Sequence, residues 1–571
     1  MNSEKVAKRI SFSIHDVWLC AILMTTFAII AFINLGDINY PSSAYYGKQD
    51  EPVIIDFGHT VDISTIAYLC GEKPFEGFAV YVPDSENNWE LRHIENVDKN
   101  VFRWQIIAAN MTTRYLIIVP TTPGLVLLEM AFFRNNQIIE TKDYDQTGVA
   151  LFDEQNLVPD APFFTNSTYF DENLHAVTAH AFIHGLKAYE WSHPPLGKSI
   201  ISIGINMFGM TPFGWRFMGV LFGVIMIAPL YALGRLLFNK RFSAFIAAFI
   251  LTFDFMHFVQ ARIAHLDVFL VTFIIFMYLF MYEYIQISPE NRTSRKALSC
   301  LAFSGLFMGL AISVKWQGVY AGLGLAVLFA LEWYDAYVYY SSRKRKGLFY
   351  KDFARTVKWC LLFFVIVPAT IYCLSYIPFS RAFGLSWPDG IIQNQTNMFN
   401  WHAYQDDIHE FQSSWWTWLF NMRPVLYYSF VNHDTGNYGA ISTFGNPAVW
   451  WAGLLALIWC IKRWVADKDH VARFLCIAWL AQILPWAFIS RSSFIYHYFP
   501  CVPFLALMIA HFMNTRTVHR QRQYALAFCL LVLVMFISFY PVIACLPVSA
   551  DYIARLEWLP NWEFIAAELL R

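Results

Sequence analysis

The chain has 571 residues, 57% of them hydrophobic and only 15% charged, and its formal net charge is −1. Ordinary soluble proteins are about 25% charged. This balance excludes a disordered chain, a coiled coil and a soluble nucleic-acid binder. Recurrent apolar runs, each about 18 residues or longer, mark a protein that crosses a membrane many times.

The first run extends from Val17 to Leu35, behind Lys5, Lys8 and Arg9. No small-residue cleavage site follows, so it reads as an uncleaved first span. Residues 40–150 differ from all that comes after. Short alternating runs at Pro52–Asp56, Gly77–Val82, Arg114–Val119 and Leu125–Glu129 lie between Gly-, Pro- and Asn-rich turns, the pattern of an antiparallel β-sandwich. Their order resembles a discoidin-like, carbohydrate-binding jelly roll; a spacer or packing module is the alternative. Residues 151–213 return to helical patterning, with Ile200–Phe208 too short to cross, and predict two helices lying along the outer membrane surface.

Further spans are predicted at about 214–238, 242–260, 266–287, 298–314, 317–338, 358–378, 447–461, 471–489, 494–513 and 524–546. The chain then divides into 1–39 with the first span, the sandwich at 40–150, an outer loop at 151–213, spans two to seven at 214–378, an outer loop at 379–446, spans eight to eleven at 447–546, and an outer tail at 547–571. Basic clusters fall in alternate connections: Lys5/Lys8/Arg9, Arg235/Lys240/Arg241, Arg292/Arg295/Lys296, Arg343–Lys346, Lys462/Arg463/Lys468 and Arg516/Arg520/Arg522. The positive-inside rule makes all of them cytoplasmic, with the N-terminus inside and the C-terminus outside.

A few charges disobey that bias by standing at the outer ends of spans: Arg216, Arg262, Asp267, Lys315, Arg423 and Arg491, with His497 nearby. Ionisable groups at membrane depth are costly and default to functional candidates. Cations gathered at one face suit an anion such as a phosphate, although any one of them also reads as a snorkelling side chain. The pair Asp171-Glu172 opens a predicted helix just outside the membrane, where it is a candidate acid–base group or simply a complement to the helix dipole. His175, His180, His184 and His193 crowd one stretch, but no third ligand completes a zinc pattern and no metal is expected. Sequons at Asn110, Asn166 and Asn394 decide nothing, and Cys70 is the lone cysteine of the first outer segment.

Taken in order, several motifs resemble the protein O-mannosyltransferase family of GT-C membrane glycosyltransferases. They are Phe170-Asp171-Glu172, His193-Pro-Pro-Leu-Gly-Lys198, Pro212-Phe-Gly-Trp-Arg216-Phe217 and Phe258-Val-Gln-Ala-Arg262-Ile-Ala-His-Leu-Asp267. Ser313-Val-Lys315-Trp-Gln-Gly318, Trp415-Trp-Thr-Trp418, Arg423-Pro-Val-Leu-Tyr-Tyr428 and Ile495-Tyr-His-Tyr-Phe-Pro500 follow. The resemblance implies eleven spans, a polyprenyl-phosphate-mannose donor, and Asp171 as catalytic carboxylate with Glu172 beside it. It makes Arg216 the holder of the donor phosphate and puts Lys315, Arg262, Asp267, Arg491 and His497 near it. Two departures, a sandwich before the Asp-Glu motif and a loop at 379–446 too short for the β-trefoil of eukaryotic members, resemble a bacterial member. The ending Ala566–Arg571 carries no retention address, which also suits a plasma membrane.

The expected reaction is inverting transfer of mannose to Ser or Thr hydroxyls of exported proteins at the outer face, without cofactor or nucleic acid. A GT-C enzyme acting on a glycolipid or wall polymer, a lipid or sugar transporter, and a non-enzymatic anchor are the alternatives. Oligomeric state is not legible.

Overall fold

The computed structural model describes residues 12–571 apart from 75, 85, 87, 98, 99, 145, 188, 189, 405–408, 433, 516, 517, 567, 568, 570 and 571. Lys5, Lys8, Arg9, Arg516 and most of the C-terminal hexapeptide therefore lie outside the described residues. Two units emerge: Met1–Ile33 with Glu190–Ile200 and Met218–Arg571, and Asn34–Tyr189 with Ile201–Phe217.

The first unit is helical. Among the described residues ten helices are long and apolar enough to cross a membrane, and the bent pair Arg241–Thr252 and Phe255–Ala261, broken by 59°, makes an eleventh when taken as one span. These agree in place with the eleven spans expected. The break has a local cause. Asp254 caps the second half by accepting from the N–H groups of Met256 and His257, and a short polar side chain that bonds its own backbone ends one helix and starts another. Between Arg295–Val314 and Gly318–Ser342 the chain turns a tight corner at Lys315, whose N–H donates to the Ala311 carbonyl. Gly318 permits it: a Cβ there would stand 2.7 Å from the backbone of Ala311 and Ile312. The segment read as an outer loop carries more structure than its polarity suggested. It holds the helix Trp387–Tyr404 and an antiparallel hairpin, Val425–Asn432 with Asn437–Thr443.

The second unit is built on a β-sheet. Its strands are β1 (Tyr45–Tyr46), β2 (Val53–Cys70), β3 (Gly77–Pro83), β4 (Trp89–Asn96), β5 (Trp104–Pro120), β6 (Val126–Arg134), β7 (Gln137–Ile138) and β8 (Asp143–Tyr144). The order is β1-β6-β2-β5-β3-β4, with β7 on β6 and β8 on β2. Hydrogen bonding thus joins all eight in one sheet. The long β2 follows its alternation, burying Val53, Ile55, Phe57, Val61 and Ile63 in one core with Leu116, Ile118, Phe132 and Phe152. Each such side chain contributes about 1.5–3 kcal/mol on full burial. Edge strand β4 is mostly exposed and carries Glu90, Arg92 and Glu95, charges that discourage pairing with another chain.

Candidate active site

The second unit holds the Asp-Glu pair. The loop before β5 fastens the segment that leads to it: Thr168 donates from its N–H to the Phe102 carbonyl and from its hydroxyl to the Val101 carbonyl, and the Trp104 N–H donates to Ser167 Oγ. The sheet therefore anchors the chain three residues before Asp171. Phe170 sits in the left-handed region at φ 49°, a conformation that costs a bulky residue energy and is held by its surroundings. It turns the chain into the helix Glu172–His184, with Asp171 at the N-cap and half-buried.

Neighbouring carboxylates part ways here. Glu172 is wholly buried and grips Arg216 side by side, with Nε donating to Oε1 at 2.7 Å and Nη2 to Oε2 at 2.6 Å. The remaining guanidinium N–H groups donate to the carbonyls of Leu35, Phe164 and Ser167 at 2.8–2.9 Å. A guanidinium has five N–H donors, so all are consumed inside this unit. Arg216 is 0% exposed and also lies 4.8 Å from the Tyr169 ring centroid. In this structure all five Arg216 donors are therefore engaged within the unit, and Glu172 is its counter-ion. Together they form a brace that ties the entry of Pro212–Phe238 to the turn carrying Asp171. On the same helix His180 and His184 do share a face, rings 4.4 Å apart, and burial pushes His180 down to about 4.

The first unit holds a cavity of about 300 Å3 lined by His193, Lys315, Gln317, His402, Arg491 and His497, with Trp316, Tyr320 and Trp486 among its aromatic walls. No carboxylate lines it among the described residues. Lys315 comes from the tight corner and donates one N–H to Asp267 Oδ2 at 2.8 Å; His265 Nδ1 lies 2.6 Å from the same oxygen. Arg491 stands in the connection before Ile495–Asn514, 5.9 Å from the Trp486 ring. No carboxylate pairs with it among the described residues, and burial lowers its hold on the proton. A desolvated cation without a counter-ion is costly until an anion arrives. His497 packs against Trp486 with ring centroids 4.4 Å apart and planes tilted by 47°, and Trp418 from the Trp-Trp-Thr-Trp motif stacks on His497 at 5.9 Å.

Of the expected residues, the cavity thus brings together His193, Lys315, Arg491 and His497, with Asp267 behind Lys315. Others stand apart. Lys198 is fully buried in an ion pair with Glu190 and also donates to the His193 carbonyl, so it supports the His193 turn. Arg262 donates to the Ile30 carbonyl at 3.3 Å and lies over Phe258. Neither Arg262 nor Arg423 is among the cavity's lining residues. His402 escaped the sequence reading. Its Nε2 donates to the Ser192 carbonyl at 3.0 Å, and its helix lies in the segment read as loop. Burial pushes His193 down to about 4 and His402 to about 3. Both rings are therefore neutral near pH 7, and the cavity's charge comes from Lys315 and Arg491.

Among groups of carboxylates with spacing that a metal ion could use, Glu129, Asp153 and Glu154 come together at the sheet. Their oxygens already accept from protein: the Glu154 N–H and Gln155 Nε2 serve Glu129, the Ser42 and Ser43 N–H groups serve Glu154, and Ser43 Oγ serves Asp153. They read as a clasp on the 42–43 turn.

Residues 192–346 match the family described as dolichyl-phosphate-mannose-protein mannosyltransferase, and residues 386–562 match the C-terminal four-span region of protein-O-mannosyltransferase. The chain belongs to the protein O-mannosyltransferase family. As a member it is a glycosyltransferase. It is similar to the polyprenol-phosphate-mannose–protein mannosyltransferase of Mycolicibacterium smegmatis, at 27% identity over 475 residues, 73% of this chain and 88% of that protein. The protein of the same description from Corynebacterium glutamicum is 27% identical over 477 residues, 73% and 89% of the two chains. Among solved structures, the S. cerevisiae protein O-mannosyltransferase Pmt1-Pmt2 complex bound to the sugar donor superposes with a TM-score of 0.60 at 15% identity, covering 70% of this chain and 91% of that one. The helical unit accordingly has the fold of the GT-C glycosyltransferases.

Proposed function

We propose that the chain transfers mannose, with inversion, from a polyprenyl-phosphate-mannose donor to Ser or Thr hydroxyls of exported proteins, at the outer face of a bacterial plasma membrane. The carrying observation is the cavity that Lys315 and Arg491 both line, with no carboxylate among its described lining residues. The names of the relatives, which specify a polyprenol-phosphate-mannose donor and a protein acceptor, support the same choice. The alternation of basic clusters supports the outer face and an inside N-terminus.

In this reading the acceptor oxygen attacks the anomeric carbon of mannose as the bond from that carbon to the phosphate oxygen breaks. Asp171 takes the hydroxyl proton as general base, a contribution of roughly 10²–10⁴ in rate. The electron pair of the broken bond goes to the phosphate, and Lys315 and Arg491 neutralise the growing charge. Fixed cations aimed at developing charge supply much of a rate enhancement. A glycosidase needs a second carboxyl to protonate a poor leaving group; a phosphate leaves unprotonated, so one base and a cationic site suffice and the scheme includes no metal. The Glu172–Arg216 brace positions Asp171 and touches neither substrate.

The test uses purified protein, mannosyl polyprenyl phosphate and acceptor peptide. Asp171→Asn is expected to abolish transfer while donor binding stays within about twofold. Full activity in that variant sinks the assignment. Mass spectrometry of exported proteins from cells with and without the gene identifies the acceptor: loss of a hexose from Ser or Thr peptides is expected, and its loss from a glycolipid or wall polymer instead overturns the protein acceptor.

A further inference from the structure

Two of the basic clusters that mark topology, Arg235/Lys240/Arg241 and Arg520/Arg522, are nearly the full helical unit apart in sequence. They converge on one cavity of about 370 Å3, lined by Arg235, Asn239, Lys240, Arg241, Gln521 and Arg522. It lies at one edge of the helical unit, where Pro212–Phe238 ends and Arg241–Thr252 and Val518–Ala544 begin. Asn239, at φ 51°, reverses the chain between the first two.

Among the described residues, four cations line this cavity and no carboxylate does. One carboxylate stands behind it. Asp16 accepts from Arg235 Nε at 2.6 Å, Arg241 Nε at 3.2 Å and the Tyr231 hydroxyl at 2.9 Å. Among the described residues, four positive charges less one negative leave three in excess. Arg235 and Arg241 are oriented by Asp16, whereas Lys240 and Arg522 are exposed and form no ion pair among the described residues. The walls are tied together: Gln521 Nε2 donates to Ser243 Oγ at 3.0 Å, Ser243 Oγ donates to Asn514 Oδ1 at 3.1 Å, and Lys240 Nζ reaches the Asn514 carbonyl at 3.5 Å. Three helix ends are thus cross-linked around a cationic hollow. Charge meant only to set orientation would serve equally well without lining a cavity, as it does at exposed Arg343 and Lys344. Here it is gathered and braced. A space of this size holds on the order of a dozen waters, and Arg and Lys on fixed supports are the usual partners of a phosphate.

We propose that this cavity binds the phosphate headgroup of an anionic phospholipid in the leaflet where these helices end. The topology reading makes that the cytoplasmic leaflet, whose anionic lipids attract basic groups beside membrane spans. The site is separate from the Lys315–Arg491 cavity and does not enter the transfer reaction.

The experiment is a titration of the purified full-length protein in neutral detergent with short-chain phosphatidylglycerol, short-chain phosphatidylcholine or inorganic phosphate, read by native mass spectrometry and by the shift in melting temperature. Phosphatidylglycerol is expected to bind at least tenfold more tightly than phosphatidylcholine. Lys240→Gln/Arg522→Gln should weaken it roughly 30-fold, at about one surface-charge contribution for each cation, with the lipid-free melting temperature unchanged. Arg522→Glu, at an exposed helix position, should give a loss at least as large as either glutamine substitution alone. Arg343→Gln/Lys344→Gln should leave the affinity as it was. Equal losses in both double variants would mean diffuse attraction and overturn the site. So would equal stabilisation by inorganic phosphate, or equal binding of phosphatidylcholine. Because no donor or acceptor is present, failure here leaves the transfer reading intact.

Discussion

Arg216 offers the sharpest test, because the brace and the donor clamp make opposite demands on it. In Arg216→Met, the buried Glu172 carboxylate loses its counter-ion and the carbonyls of Leu35, Phe164 and Ser167 lose their donors. Removing one partner of a buried pair costs about 3–5 kcal/mol, and each stranded carbonyl adds up to about 1–3 kcal/mol where water cannot reach it. The terms overlap, so ~5 kcal/mol is a fair expectation, a large part of the ~5–15 kcal/mol that holds a domain folded. Arg216→Met/Glu172→Leu strands no charge and should recover about 2 kcal/mol or more of that loss, a coupling that a double-mutant cycle reads directly. Both variants are assayed by thermal melting in detergent and by initial rates against donor concentration. A brace predicts a lower melting temperature and kcat, partial rescue of stability in the double variant, and a donor KM within about threefold of wild type. An unchanged melting temperature with a tenfold or greater rise in donor KM would refute the brace and return Arg216 to the phosphate.

Other expectations follow from the same geometry. Arg491→Gln removes a half-buried cation that has no carboxylate partner among the described residues, so donor KM should rise roughly 10- to 100-fold for one charge-assisted contact while the melting temperature holds or increases; kinetics and melts on one preparation check both. His193 and His402, held by burial near 4 and 3, stay neutral above about pH 5 rather than gaining charge below their ordinary value near 6.5. Donor KM should therefore be flat between about pH 5.5 and 8, and a steady tightening on acidification through 6.5 would contradict their burial. Glu129 is raised by burial to about 8, above its unfolded value of about 4.3. The folded state then favours the protonated form, so this contribution to stability is present in acid and is lost as pH climbs through about 8. Melts from pH 5 to 9 should show the decline in wild type and a flatter profile in Glu129→Gln.

The membrane helices were legible because a span needs only a sustained apolar run, a property local to the sequence. The strands were legible in part. Pro52–Asp56 is the visible start of β2, which continues through two register shifts to Cys70; Gly58, His59 and Thr60 interrupt the apolar run there, although burial resumes in phase at Val61. The helix Trp387–Tyr404 was missed for a different reason. Its buried face is Gly390, Asn394 and Met398, of which only the last is a large apolar residue, so no hydrophobic periodicity marks the helix, and His402 was lost with it. Pro388 near its first turn was the available signal. The roles of the charges were least legible. Sequence locates Arg216 at the end of a span but says nothing of a carboxylate 44 positions away, and an arginine with five satisfied donors looks the same in one dimension as an arginine awaiting a phosphate.

That difference reassigns the work within the Asp-Glu dipeptide. Two adjacent carboxylates at a helix start would repel each other and share one field if both faced the same medium. Here the helix turns one inward, where Arg216 neutralises it, and leaves the other half-buried at the N-cap. The sheet holds the preceding segment through Phe102 and Val101, and the left-handed Phe170 sets the direction of approach. Three independent restraints thus converge on the backbone of one residue, Asp171. A general base must stay within hydrogen-bond reach of the proton that it takes, and displacements near 1 Å can cost two orders of magnitude in rate. With Asp171 as the proposed base, the inserted sheet has a catalytic consequence whether or not it binds sugar. Loosening its hold at Thr168 should then lower kcat while donor affinity, which the proposal assigns to Lys315 and Arg491, remains unchanged.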